Sequence, residues 1–298
     1  MASAKELRDR IKAVQETKKI TGAMHLISST KLRRAKADLA RTRAYFDTLR
    51  GAVGDILCAP PDYESRYFRG GSGAADPGVC GVLVITADKG LAGAYNLNVL
   101  RAAEALRAEK PGARVFVVGE YGRRYFAQHA PESTVYAGAA RMPTPESAGA
   151  MGDDLLARYD AGEWDELYVI YTDMKNSLAS EPRTERLLPL PRGLAGDGGA
   201  PRAQREFLPS EEEVVRSGVR SYIRGFVYGA LLDSYCAEQN ARVSAMDAAN
   251  RNAQELLEGL SLQLNRQRQA AITREITEIS AGAQAQRNAG KKQEVFKA

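Results

Sequence analysis

At 298 residues the chain can form one large domain or two small ones, and its 44% hydrophobic and 27% charged content is ordinary for a soluble protein. No run approaches the ~18 uninterrupted apolar residues of a membrane span, and the N-terminus lacks the charged-then-apolar layout of a secretion signal. Cys58, Cys80 and Cys236 contain no close pair, and His25 and His129 lie far apart, so neither a disulfide framework nor a metal site is suggested.

The net charge of +5 is unevenly placed. Residues 1–59 carry 13 Lys/Arg against 6 Asp/Glu, residues 60–209 carry 17 against 20, and residues 210–298 carry 12 against 11. A basic first arm can face nucleic acid, acidic lipid or an acidic protein; the plainer account is a solvated helix face. All twelve prolines fall between Pro60 and Pro209, leaving arms of 59 and 89 residues free of the residue that costs a helix roughly 3 kcal/mol. At 1.5 Å per residue such arms span about 80 Å and over 100 Å, too long to fold within a single domain of the residues between them.

The first arm opens with Ser3 and Glu6 at capping-box spacing. A 4-3 ladder follows through Leu7, Ile11, Val14, Lys18, Thr21, His25, Ser28, Leu32, Ala35, Leu39, Thr42, Phe46, Leu49, Val53 and Ile56, ten of the fifteen being apolar. A sustained seven-residue repeat marks a left-handed coiled coil. Its polar members cluster at Lys18, Thr21, His25 and Ser28, while Ile20, Met24 and Ile27 form a displaced apolar stripe. Either the polar members fix register, or another protein grips this stretch.

Between the arms, short β-branched runs alternate with helical stretches. A loop over 60–78 precedes VCGVLVIT (79–86); a helix over 96–109 leads to ARVFVVG (113–119), and helices over 120–129 and 146–160 lead to DELYVIYT (165–172). RLLPLP forms an edge segment. This alternation predicts an α/β body with a mainly parallel sheet covered by helices on both faces. The last arm opens with Pro209, Ser210 and Glu213, a second capping box, and carries Val215, Val219, Tyr222, Phe226, Leu257, Leu260, Leu264 and Ala271, then Ile272, Ile276 and Ile279 displaced by one. Gly218, Gly225, Gly229 and Gly259 weaken it as a helix but permit close approach of a partner. The arms pair most simply with each other, antiparallel. The predicted organisation is a coiled-coil helix over 1–59, the α/β body over 60–209, and a second coiled-coil helix over 210–298 with a disordered tail from about 286.

Catalytic motifs are scarce. The loop ADKGLAGAYN (87–96) lies between strand and helix, where phosphates are often held, but the third glycine of the dinucleotide fingerprint is missing. Glu120, a candidate for a ribose hydroxyl, lies 30 residues past Gly90 rather than about 20. A tight structural turn is the simpler reading. Asp88, Asp153 and Asp154 read as helix-start charges.

Three collinear stretches carry a family resemblance: RIKAVQETKKITGAMHLISSTKLRRAK (10–36), ITADKGLAGAYN (85–96) and AMDAANRNAQELLEGLSLQLNRQRQAAITREITEI (245–279). The chain thereby resembles the γ subunits of the F-type ATP synthases, with weaker likeness over most of 1–285. The resemblance implies a coiled coil of the terminal helices above an α/β body, one copy per complex. The rod would fill a hexamer of α and β subunits, and the body, with the ε subunit, would sit on the membrane c ring. Rotation driven by ion flow would pass to the β-subunit sites, and ATP hydrolysis would run the machine in reverse. No cofactor, metal, catalytic site or nucleic-acid partner of its own is implied. The implied location is the cytoplasmic side of a bacterial plasma (inner) membrane, as a peripheral protein.

By the same resemblance, Lys18, Lys19, Lys31, Arg33 and Arg34 offer a positive face to acidic β-subunit loops, and Met24 faces moving elements of a β subunit. Arg268, Gln269 and Thr273 bond a β-subunit catch loop. Ile272, Ile276 and Ile279 sit in an apolar bearing near the tip. Solvation competes with each polar assignment, and coiled-coil core with the isoleucines. Ala92 stands where the family loop usually has cysteine, the cysteine-bearing regulatory insertion of chloroplast relatives is absent, and QRNAGKKQEVFKA (286–298) runs past the usual end. Two other readings remain: a dinucleotide-binding enzyme on the middle domain, and a basic coiled coil on nucleic acid.

Overall fold

The computed structural model describes residues 3–57, 67, 79–176, 179–190, 208 and 210–295, with side chains described for all of these except 55–57, 211 and 285–295. In chain order the elements are α1 (Ala4–Leu57), β1 (Cys80–Ile85), α2 (Tyr95–Glu109), β2 (Arg114–Val118), α3 (Glu120–His129), β3 (Thr134–Tyr136), α4 (Pro145–Asp160), β4 (Glu166–Met174), β5 (Ser180–Leu188) and α5 (Glu211–Val295). The strands form one sheet in the order β3-β2-β1-β4-β5, parallel except for β5, which pairs antiparallel with β4.

Contacts group residues 26–245 as one compact unit, and the residues up to His25 with those from Met246 on as another. These cuts fall inside α1 and α5, not at the helix ends where 59/60 and 209/210 were expected. The reason is apolar: Val53, Val215, Val219, Ile223, Val227 and Leu231 share a core with the sheet.

In the unit 26–245 the strands alternate with period two. Val82, Val84, Val115, Val117 and Ile170 face α2 and α3, where Val99, Leu100, Ala103 and Phe126 complete one core. Leu83, Ile85, Phe116, Val118, Leu167 and Val169 face the other way, onto Leu155 and Tyr159 of α4 and onto α1 and α5. The sheet is thus covered on both faces, as buried parallel strands require. Two details depart from the sequence reading. The edge strand begins at Ser180, six residues before RLLPLP, because its exposed charged residues carry no apolar signal. The short β3 was also not foreseen; none of its three residues is fully buried.

In this unit α1 and α5 run antiparallel: Phe46 packs on Tyr222 and Phe226 (ring centroids 5.3 and 6.0 Å), and Val53 lies by Gly218. Of the four α5 glycines singled out above, Gly225 alone makes a tight approach; Gly229 and Gly259 have nothing within 4 Å of an added Cβ. The expected close contact therefore holds at one position. Cys80 and Cys236 are buried, and burial pushes both thiols up to about 12. Cys58 and most of the 60–78 loop lie outside the described residues.

In the second unit α1 opens with the predicted capping box: Glu6 N–H donates to Ser3 Oγ (3.2 Å) and Ser3 N–H to Glu6 Oε2 (2.8 Å). At the other terminal helix, Glu213 N–H donates to Ser210 Oγ (3.3 Å). The tail expected to be disordered from about 286 is helical backbone to Val295, over a stretch without proline.

Candidate functional site: a helical seam and its overhang

Every described member of the first-arm ladder is buried or half-buried, from Leu7 through Val53. The polar members keep their place in the seam. In the unit containing the N-terminus, Lys18 Nζ donates to Gln254 Oε1 (2.6 Å), and the Thr21 hydroxyl meets Asn250 Oδ1 (2.5 Å). Of the displaced stripe, Ile20 and Ile27 face outward, at 63% and 55% exposed. His25 is half-buried within the seam, and Met24 of the displaced stripe is half-buried beside it.

The facing side of α5 repeats the same period through Met246, Asn250, Ala253, Leu257, Leu260, Leu264 and Gln267, each buried or half-buried. Counting fifteen residues back from Lys18 and forward from Gln254 places Ser3, just before α1, opposite Gln269. Beyond that point α5 has no α1 residue across from it. Continuing the seam would select Ala271, Arg274 and Glu278; the apolar residues are Ile272, Ile276 and Ile279. The stripe has turned by one residue at Ile272 and Ile279 and by two at Ile276, about 100° or more around the helix. These isoleucines are 47%, 60% and 67% exposed. Of the two sequence readings, coiled-coil core within the chain is therefore overturned. Beside them runs a polar row, in which the Thr273 hydroxyl donates to the Gln269 carbonyl (2.9 Å) and that of Thr277 to the Thr273 carbonyl (2.8 Å). Arg268 and Gln269 are exposed.

Within the unit that holds both termini, the sequence-selected residues do not converge on a cleft. Gln254, opposite Lys18, precedes Arg268 by fourteen residues, about 21 Å along the helix. Lys19 is exposed in this unit; Lys31, Arg33 and Arg34 are exposed in the unit 26–245, flanking the buried Leu32 and Ala35. Lys18 differs from the other cations in lying within the seam. Within the unit that holds both termini the arrangement is a track of side chains along paired helices, suited to contact with a surface rather than to enclosing a substrate.

The 87–96 loop uses its polar groups internally. Ala87 N–H donates to Asn96 Oδ1 (2.9 Å), and the Lys89 and Gly90 carbonyls accept from the Arg242 guanidinium (3.3 and 3.1 Å). Arg242 is itself paired with buried Glu238 at 2.7 Å. Asp88 accepts from the Glu120 N–H at the start of α3 (3.1 Å), the helix-start role expected of it. Glu120 is held by Arg123 and then Arg124, which bring its carboxyl down to about 2. Asp153 and Asp154 are not helix-start charges: both lie inside α4, Asp153 bonded to Arg220 and Arg224 and Asp154 to Arg158 and Tyr136. Among the described residues no group of His, Cys, Asp and Glu is arranged to hold a metal.

Sequence reasoning missed one group entirely. Arg43, Asp173, Asp233 and Arg183 form a part-buried charge network where α1, α5 and the sheet meet. Its one available signal was Asp233 and Glu238 standing in an otherwise apolar stretch of α5.

The sequence profile of the ATP synthase family matches residues 3–286. The ATP synthase gamma chain of Ruminiclostridium cellulolyticum is 36% identical over 94% of this chain and 98% of its own length, and that of Erythrobacter litoralis is 36% identical over 96% and 100%. Among solved structures, the central stalk and c-ring of the Tetrahymena thermophila mitochondrial ATP synthase contains a chain that is 25% identical. It aligns with a TM-score of 0.60, over 77% of this chain and 99% of that one. A chain of the Euglena gracilis mitochondrial ATP synthase is 18% identical with a TM-score of 0.69, over 97% and 96%, and shares the fold.

Proposed function

Because the chain belongs to the ATP synthase gamma-chain family and is a central-stalk rotor subunit, we propose that its overhang and seam are the surfaces through which it drives, and is driven by, catalytic subunits. The observation that carries this reading is the turn of the apolar stripe at the point where α1 runs out. A stripe that leaves its old partner's phase and stays exposed is suited to a different partner.

In this reading Ile272, Ile276 and Ile279 sit in an apolar sleeve formed by α and β subunits. Arg268, Gln269 and Thr273 bond a β-subunit loop, and Lys19, Lys31, Arg33 and Arg34 face acidic β-subunit segments, with Met24 beside them. Lys18 serves mainly as a seam residue. The unit 26–245, with an ε subunit, rests on the c ring. One copy per complex, a position on the cytoplasmic face of a bacterial plasma membrane and the absence of catalysis by this chain alone complete the proposal. Rotation works on the catalytic sites by differential contact: each orientation favours one nucleotide affinity, and an equilibrium shifts only as far as that difference allows.

The test is reconstitution. The full chain, mixed with purified α and β subunits, is expected to enter a six-membered assembly as a single copy and to stimulate its ATPase. Failure to enter, or entry without stimulation, overturns the reading.

A further inference from the structure

In the unit 26–245 both terminal helices and the sheet meet at one guanidinium. Arg43 of α1 donates through Nη2 to Asp233 Oδ1 of α5 (2.6 Å), to Asp173 Oδ1 of β4 (3.2 Å) and to the Met174 carbonyl at the end of β4 (3.1 Å). Arg183 of β5 holds the second oxygen of Asp173 at 3.0 Å. One residue along α5, Ser234 Oγ accepts from Thr172 N–H (3.1 Å), a second tie between α5 and β4. The Asp173 and Asp233 side chains are 13% and 12% exposed, whereas those of Arg43 and Arg183 are 46% and 49% exposed, so the carboxylates are screened from water while the cations are partly solvated.

Much of what joins these helices to the sheet is apolar packing, which is non-directional and does little to fix how one element is turned against another. Charge-assisted hydrogen bonds are directional, and polar groups in an apolar interface are best attested as devices that fix register. We propose that Arg43 is a positioning residue for torque transfer, keying α1 and α5 to the C-terminal end of β4 so that helices and sheet turn together. This rests on the rotor reading above.

The key is pH-sensitive. Burial raises the Asp233 carboxyl to about 6 against the pull of Arg43, with Asp173 adding to the rise. The groups acting on it are Arg43 from α1 and Asp173 from β4; Arg183 of β5 pairs with Asp173, and Cys236 on its own helix faces Asp233 together with Lys36 and Asp38 of α1. Above that pH the Asp233 charge holds Arg43; below it Asp233 is neutral and the bond weakens.

The experiment compares the wild-type complex with Arg43→Met, Arg43→Lys and Asp233→Asn in membranes carrying the complete assembly. ATP hydrolysis and ATP-driven ion pumping are measured on the same preparation. For Arg43→Met the expected result is near-normal hydrolysis with pumping per ATP reduced about threefold, the consequence of losing charge-assisted bonds. Arg43→Lys recovers part of the ratio. Asp233→Asn has a reduced ratio at about pH 7.5 that converges with wild type at about pH 5.5, on either side of the Asp233 titration. An unchanged ratio in Arg43→Met, in a complex that assembles and hydrolyses normally, overturns the proposal while leaving the rotor reading intact. If Arg43→Met fails to assemble, Asp233→Asn decides: a wild-type ratio at both pH values overturns the proposal. A wild-type chain that neither joins nor stimulates the hexamer defeats the rotor reading instead.

Discussion

Gly225 faces Leu49 so closely that a Cβ on the glycine would lie 3.1 Å from Leu49 Cδ2, and 3.3 Å from Phe46 Cδ2. At this glycine the two terminal helices approach closely, and the glycine's helix penalty is offset by the packing it permits. Gly259 lies on the same helix with nothing within 4 Å of its added Cβ. Gly259→Ala is therefore expected to stabilise the full chain by up to about 1 kcal/mol, the helix-propensity difference. Gly225→Val is expected to destabilise it by about 1–3 kcal/mol through overpacking. Urea unfolding of both variants checks the pair; equal effects would mean that the approach at Gly225 is not tight.

The polar seam makes a second contrast. Lys18 and Thr21 bond Gln254 and Asn250, so they hold α1 and α5 in one alignment. Replacing them together (Lys18→Leu, Thr21→Val) is expected to stabilise the helix pair by about 1 kcal/mol through apolar burial while weakening register. Cysteines introduced at Val14 and at Leu257 or Leu264 read the alignment. The parent should cross-link Val14 with Leu257; the polar-to-apolar variant should also cross-link Val14 with Leu264, one heptad away. A variant that keeps the single cross-link refutes the register role.

The first-arm ladder was legible because a seven-residue period repeated from Leu7 to Val53 outweighs its polar interruptions, and each interruption stays in the seam. The strands β1, β2 and β4 were legible because burial on both faces makes them continuous apolar runs. Strand β5 was placed too late because an edge strand facing water has no apolar period, and Glu181, Arg183 and Glu185, ahead of RLLPLP, give no apolar signal. At the candidate site, Ile272, Ile276 and Ile279 could be seen as displaced from the seam. Their exposure followed only from the register, since nothing in one helix's sequence states where its partner ends. The Arg43 network was illegible because its members lie 130 and 190 residues apart.

Asp153 and Asp233 give opposite pH signs. Arg220 and then Arg224 hold the Asp153 carboxyl well below the usual range, so its contribution is present above about pH 4 and lost as pH falls. Asp233 is raised to about 6, so its contribution is full below about pH 4 and lost as pH rises through 6, a change on the order of 3 kcal/mol. Its pairing with Arg43 thus fixes geometry at a cost in stability. Asp153→Asn should lower stability at neutral pH and flatten the acid limb. Asp233→Asn should remove the decline between about pH 4 and 6. Unfolding midpoints across pH 3–8 check both, and matching profiles for the two variants would contradict the assignment.

The overhang yields the sharpest separation between stability and function. Leu7 is 2% exposed at the start of the paired region, whereas Ile272, Ile276 and Ile279 are all at least 47% exposed past its end. Leu7→Ala removes buried contacts and should cost the chain about 2 kcal/mol or more. Serine at all three isoleucines should change the chain's own stability by no more than about 0.5 kcal/mol per site, as for ordinary surface changes. In the assembled α/β hexamer the ranking should reverse, because apolar anchors seated in a partner carry much of an interface's energy. The triple variant is then expected to lose ATPase stimulation or dissociate, and Leu7→Ala to retain most of it when assayed below its melting temperature. Thermal unfolding of the full chain and ATPase of the reconstituted hexamer, run on the same variants, separate the two roles. If the triple serine variant unfolds early in isolation, the isoleucines are packed within the chain and the overhang has no free face to offer a partner.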